Sequence, residues 1–203
     1  MLASALSFSA STLAAAQPSA IAPQGVAPIL PGSDAVDIWT DAQPHIARVT
    51  HVSLDLDVDF QTQTLIGKAA LTVLAAPDAK EIILDSENLA VTKVTDGKGR
   101  ALPFNIGQAK ADLGAPIAIT LNGAKQIIIH YSSAEGASAL QWLPPEMTAG
   151  KKKPYLFSQG QAIHNRSWVP TQDSPGIRQT WDARLTVPAD MVAVMSAEKL
   201  SGD

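Results

Sequence analysis

From Val49 to Val73 the chain alternates apolar and polar residues with a period of two, and this pattern constrains its fold more than any other feature. Val52, Leu54, Leu56, Val58 and Phe60 share one parity, while Ser53, Asp55, Asp57 and Asp59 lie between them. Successive side chains of a strand point to opposite faces, so the first set is expected in a core and the second in water. The parity inverts after the polar triplet Gln61–Thr62–Gln63, and Leu65, Gly67, Ala69, Leu71 and Val73 then share a face. The two runs predict a long antiparallel hairpin.

Shorter strands are expected at about Ile82–Leu84, Ala90–Val94 and Leu102–Ile106, with turn chemistry at Asp96–Gly97 and Lys98–Gly99 between the last two. Ile117, Ile119 and Leu121 alternate up to Asn122–Gly123, a pair that favours a tight hairpin turn, and Ile127, Ile129 and Tyr131 read as the return strand. Trp181, Ala183, Leu185 and Val187 alternate against Asp182, Arg184 and Thr186, and a last strand is expected at about Val192–Met195. No amphipathic run is long enough for a helix. Many short strands with regular turns predict an all-β fold, a multi-sheet antiparallel β sandwich.

The ends and the middle read differently. Residues 1–16 are rich in Ala, Ser and Leu, uncharged, and end in Ala14–Ala15–Ala16. They resemble the apolar part and cleavage site of a secretory signal without its basic start, which implies export to a periplasm or outside the cell. A flexible tail on a cytoplasmic protein is the alternative. Residues 17–36 read as a disordered Pro/Ala-rich spacer, and the folded part as residues 37–203. No segment is long enough to span a membrane. Between Ser132 and Ile177 the alternation breaks, and an irregular stretch of that length inside a domain points to function.

Charge and motifs exclude several chemistries. The formal net charge is -4, and Lys151–Lys152–Lys153 beside Gly150 and Pro154 reads as a solvated loop, so no nucleic-acid partner is expected. The chain has no cysteine, and His45, His51, His130 and His164 fall in no zinc-ligand spacing. No metal or other cofactor is expected on this chain. Asp55, Asp57 and Asp59 read as the wet side of a strand rather than a cation site. Ser158, Ser167, Ser174 and His164 lie outside any Gly-x-Ser-x-Gly elbow, and no catalytic residue is assigned. Phe157–Ser158–Gln159–Gly160–Gln161–Ala162–Ile163–His164 is more informative. Its amides can receive an ammonium through their carbonyls, and Gly160 would permit close approach of a partner. Amides capping an irregular loop are the other reading, and on these residues alone the preferred one.

The run Leu140–Gln141–Trp142–Leu143–Pro144–Pro145–Glu146, then Thr148–Ala149–Gly150–Lys151, then Pro154 through His164, resembles the aminopeptidase N superfamily of zinc peptidases (gluzincins), in its leukotriene hydrolase and aminopeptidase B branch. Arg166, Pro170, Gln172–Asp173–Ser174–Pro175, Thr180 to Val187 and Ala193 to Ala197 add to it, as do Arg48 to His51 and Asp57 to Phe60. Near Ile38–Trp39–Thr40 the family's usual start is altered, and Thr171 stands where relatives often have cysteine.

The resemblance implies a saddle-like β domain packed on a zinc catalytic domain. Its Gln-x-Gln segment helps to hold the substrate's free α-amino end. That role would fall on Gln159, Gly160, Gln161 and Ala162, with Gln161 as the main contact to a peptide's N-terminus. The family's Gly-x-Met-Glu-Asn and His-Glu-x-x-His segments have no counterpart in these residues, so zinc is expected in a catalytic domain of the same polypeptide. The chain is then expected to be a fragment that stops slightly short of a complete β domain. Its rival is a stand-alone β-sandwich interaction module without peptidase activity.

Overall fold

The computed structural model describes residues 37–200, so the segments 1–16 and 17–36, read above as signal and spacer, lie outside the described residues. The predicted hairpin forms as β1 (Ala47–Asp59) and β2 (Thr64–Ala75), with Val52 opposite Leu71, Leu54 opposite Ala69 and Val58 opposite Leu65. Val52, Leu54, Leu56, Leu65, Ala69, Leu71 and Val73 are all buried, as the alternation requires. At its turn the Asp59 carboxylate accepts hydrogen bonds from the N–H groups of Gln61 (2.7 Å) and Thr62 (3.2 Å). The contacts with Thr62, and after them the bond from Gln61, draw the Asp59 carboxyl below its usual range. Gly67 lets the two strands meet closely, because a Cβ there would lie 2.1 Å from the Asp55 carbonyl oxygen.

Seven of the next strands build the rest: β3 (Glu81–Ser86), β4 (Ala90–Asp96), β5 (Phe104–Ile106), β6 (Ala115–Thr120), β7 (Gln126–Ser132), β8 (Leu140–Leu143) and β9 (Tyr155–Ser158). With β10 (Thr180–Thr186) they make a five-stranded sheet in the order β10-β1-β2-β7-β4, a three-stranded sheet β3-β6-β5 and the two-stranded sheet β8-β9. Residues of all three sheets contribute to one buried apolar cluster. Among the described residues the only helical pieces are two short 3-10 turns, Pro145–Met147 and Asn165–Ser167.

Three expectations need correction. Asn122 and Gly123 do form a tight turn with positive φ (48° and 77°), closed by a 2.8 Å bond from Ala124 N–H to Leu121 O. Yet β6 and β7 do not pair across it: β6 pairs with β3 and β5, and β7 with β2 and β4. Both strands bury their apolar sets almost completely, and each set is covered by passing the chain from one sheet to the other. Second, residues 192–195 form no strand, and Val192 and Val194 are 80% and 87% exposed, because no neighbouring strand offers them a ladder. Third, the stretch read as irregular contains the β8–β9 hairpin. One pairing also departs from the antiparallel rule, since β10 runs parallel to β1. Parallel neighbours need a long crossover rather than a turn, and the stretch between β9 and β10 supplies the return.

Candidate functional site

The β8–β9 hairpin carries the segment singled out above. Its register sets Leu140 opposite Ser158, Gln141 opposite Phe157, Trp142 opposite Leu156 and Leu143 opposite Tyr155. Leu140, Trp142 and Leu156 pack on the core, and Trp142 meets Phe60 edge-on with ring centroids 5.2 Å apart. Period two then turns Tyr155 and Phe157 outward, where they are 54% and 43% exposed near Met147 in sequence, itself 68% exposed.

The chain leaves β9 into the loop of Gln159, Gly160, Gln161 and Ala162. Gln159 N–H continues the hairpin by donating to Ala139 O at 2.8 Å. The Gln159 side-chain Oε1 accepts from Gln161 N–H at 2.8 Å, and His164 N–H donates to Gly160 O at 2.9 Å. The Gln161–Ala162 peptide is cis. Gln159, Gln161 and Ala162 are exposed and Gly160 is half-buried. Gln159 is therefore braced inside the loop, whereas no side-chain hydrogen bond among the described residues holds the Gln161 amide. Gly160 is explained differently from the sequence reading. Its φ is not positive, but a Cβ on it would lie 2.1 Å from Asn165 Oδ1, so the close approach it permits is that of Asn165 from within the protein.

A polar network behind the loop fixes its base. Ser167 Oγ donates to His164 O (2.7 Å) and accepts from Ala139 N–H (3.0 Å), tying the 3-10 turn to the start of β8. Ser138 Oγ donates to Glu87 Oε2 at 2.9 Å, so at its 3.0 Å contact with His164 it accepts from Nδ1–H. Arg166, 1% exposed, donates from Nη1 to Leu113 O and from Nη2 to Trp39 O and Asp173 O, all at 2.8–2.9 Å. The Asp173 carboxylate accepts from Arg166 N–H (3.0 Å) and Asn165 Nδ2 (3.3 Å). Burial pushes its carboxyl above the ordinary range against those bonds and the Arg166 charge. Asp85 completes the cluster by accepting from Thr40 Oγ1 (2.6 Å), Asp41 N–H (3.2 Å) and Asp173 N–H (2.9 Å). Sequence reasoning missed Asp85, Asn165 and the anchoring of residues 37–41, since no local pattern marks them.

The other candidates stay apart. His51 bonds Thr180 and Asp182 across the β1–β10 pair, His130 lies on β7, and His45 is exposed before β1. Among the described residues no group of three His, Asp or Glu side chains is arranged to hold a metal ion, so these residues do not fit a zinc site. Asp55 pairs with Lys68 at 3.1 Å on the outer side of the hairpin, as a solvated strand face would. Lys151–Lys153 are exposed, and Lys153 pairs with Asp190. No helix among the described residues is long and apolar enough to cross a membrane.

Comparison with known proteins gives a consistent result. The profile of the Peptidase M1 N-terminal domain matches residues 35–201. Leukotriene A-4 hydrolase of Xenopus laevis is 37% identical over 163 residues, covering 77% of this chain and 27% of that protein. Leucine aminopeptidase 2 of Yarrowia lipolytica is 38% identical over 160 residues, covering 77% and 25%. The structure of native leukotriene A4 hydrolase from Saccharomyces cerevisiae superposes with a TM-score of 0.70 at 32% identity, over 77% of this chain and 26% of that one. An M1 zinc metallopeptidase from Deinococcus radiodurans, at 19% identity, TM-score 0.55 and coverage of 78% and 38%, shares the fold. The chain thus spans about a quarter of the length of the curated relatives it matches.

Proposed function

The chain belongs to the Peptidase M1 N-terminal domain family, and on that premise we propose that it is the substrate-binding β domain of a zinc aminopeptidase, in which Gln159, Gly160, Gln161 and Ala162 take the free α-amino end of a peptide. In this reading the whole protein removes N-terminal residues, and its zinc and its catalytic groups belong to a further domain of the same polypeptide. Export, to a periplasm or out of the cell, is part of the proposal, and the mature N-terminus of secreted material would test it. The folded unit is taken as residues 37–203.

The observation that carries the reading is the division of labour within the loop. Gln159 spends its carbonyl on Gln161 N–H, while the exposed Gln161 side-chain amide, at the end of the β8–β9 hairpin, has no side-chain hydrogen bond among the described residues. A neutral carbonyl oxygen accepts from an ammonium without the desolvation that a buried carboxylate would demand. The outward face of Tyr155 and Phe157 beside the loop offers apolar area for the catalytic domain to cover. The same face also suits a second reading, a stand-alone interaction module. An in-frame His-Glu-x-x-His segment downstream of codon 203 would decide for the peptidase, and a clean stop for the module.

Kinetics test the site. With the domain joined to its catalytic partner, Gln161→Ala should lower kcat/KM for free-amino substrates by about tenfold, the loss expected for one hydrogen bond to a charged group. Gln159→Ala should act in the same direction by loosening the loop. Unchanged kinetics in Gln161→Ala would remove that residue from the site.

A further inference from the structure

We infer that Asn165 is a positioning residue for the rim loop: its side-chain amide is the seat on which Gly160 rests, and it thereby sets where the Gln161 amide stands. The inference rests on the proposed amine-binding role of that loop, but its geometry does not. A Cβ built on Gly160 would lie 2.1 Å from Asn165 Oδ1, 2.6 Å from its Cγ and 2.8 Å from its Nδ2. All three amide atoms thus crowd one side of the Gly160 Cα. Because Gly160 has no positive φ, the glycine answers to this contact and not to a backbone conformation.

The seat itself is held from behind. Asn165 Nδ2 reaches Asp173 Oδ1 at 3.3 Å, and the other oxygen of that carboxylate accepts from Arg166 N–H at 3.0 Å. Arg166 and Asp173 are buried, and Asp173 N–H is in turn bound to Asp85 at 2.9 Å. Forward of the seat, Gly160 O accepts from His164 N–H, and the next residue along is Gln161. Displacing the seat must therefore move the peptide that carries Gln161. A chain of contacts runs from a buried ionic cluster to one exposed amide, through a residue that need not touch substrate.

Volume exchange tests this. In this 203-residue chain, Gly160→Ala should lower the amide-exchange protection of His164 and Gln161 by about tenfold while the β1 and β2 amides keep theirs. Asn165→Ala should produce a smaller loss, through the gap it leaves. The double variant should return protection to within about threefold of the parent, because the new methyl occupies the space the amide vacated, a coupling that neighbours in contact show and distant residues do not. A double variant no better than Gly160→Ala, or full protection in Gly160→Ala, overturns the inference.

In the polypeptide with its catalytic domain, the same ranking should appear in KM for free-amino substrates at little-changed kcat. If Gln161→Ala raises KM and Gly160→Ala does not, positioning by Asn165 is wrong. If the exchange ranking holds and neither Gly160→Ala nor Gln161→Ala alters KM, the amine-binding reading fails and the seat remains.

Discussion

Gln172 shows how one buried side chain can organise two sheets. Its Oε1 accepts from Val49 N–H at 2.9 Å, and its Nε2 donates to Ala47 O (2.9 Å) and Ile83 O (3.1 Å). It thereby links β1 to β3 at a residue only 1% exposed. Replacement by Ala would leave three main-chain groups without that partner, and since a stranded buried group costs about 1–3 kcal/mol, Gln172→Ala should destabilise by about 3 kcal/mol. Urea unfolding of the two proteins measures it, and a loss below about 1 kcal/mol would mean that water or neighbouring strands take over those groups. Such residues were poorly legible in the sequence. Gln172 and Asp173 stood out only through resemblance, because their partners at Val49, Ile83 and Asp85 lie far away along the chain. Gln159 and Gln161 were legible as amides of interest, whereas the reason for the glycine between them was not: Asn165 carries no mark of its own.

At the scale of elements, β10 is held to β1 by its ladder and by a polar clip on the outer face. His51 contacts Thr180 Oγ1 (2.7 Å) and Asp182 Oδ2 (2.8 Å), and Ser53 Oγ donates to Asp182 Oδ1 (2.8 Å). The Ser53 hydroxyl holds the Asp182 carboxyl below its ordinary range; burial opposes it, and the His51 ring adds to the lowering. A carboxyl whose folded pKa is depressed stabilises the fold above its unfolded value of about 4. Below that pH the unfolded chain takes up a proton that the folded chain does not, so this stability is lost as pH falls through the folded pKa. Protection of the Ala183 and Leu185 amides should therefore fall as the pH drops below about 4, before that of β2, and Asp182→Asn should flatten this dependence. Equal acid sensitivity in parent and variant would exclude the clip. The alternation of Trp181, Ala183 and Leu185 was visible in the sequence, and so were the elements of the first hairpin. Beyond that hairpin the pairing of strands was not, because periodicity records which face a side chain takes and says nothing of the neighbouring strand. Hence the parallel β1–β10 pair, and the transfer of the chain between sheets at Asn122–Gly123, emerged only in three dimensions.

For the whole molecule, the chief consequence concerns where chemistry happens. A catalytic zinc takes three protein ligands and a water, and those ligands must converge on one point. The four histidines of this chain are distributed over different elements, with His51 engaged by Asp182 and Thr180 and His164 by Ser138. Among the described residues nothing gathers three such groups. What the fold does gather is the β8–β9 hairpin, an exposed apolar face and a Gln161 amide that no side chain among the described residues engages, which in the proposed function serve to hold a substrate rather than to attack it. The chain alone should therefore retain no stoichiometric zinc after dialysis and release no product from aminoacyl arylamides, with or without added zinc. Metal analysis and a chromogenic assay check both, and zinc-dependent turnover by this chain would place the active site within it. On the proposed function, activity should appear only when the Gln159–Ala162 rim meets a metal held by another domain, and there Gln161→Ala should weaken it without removing the zinc.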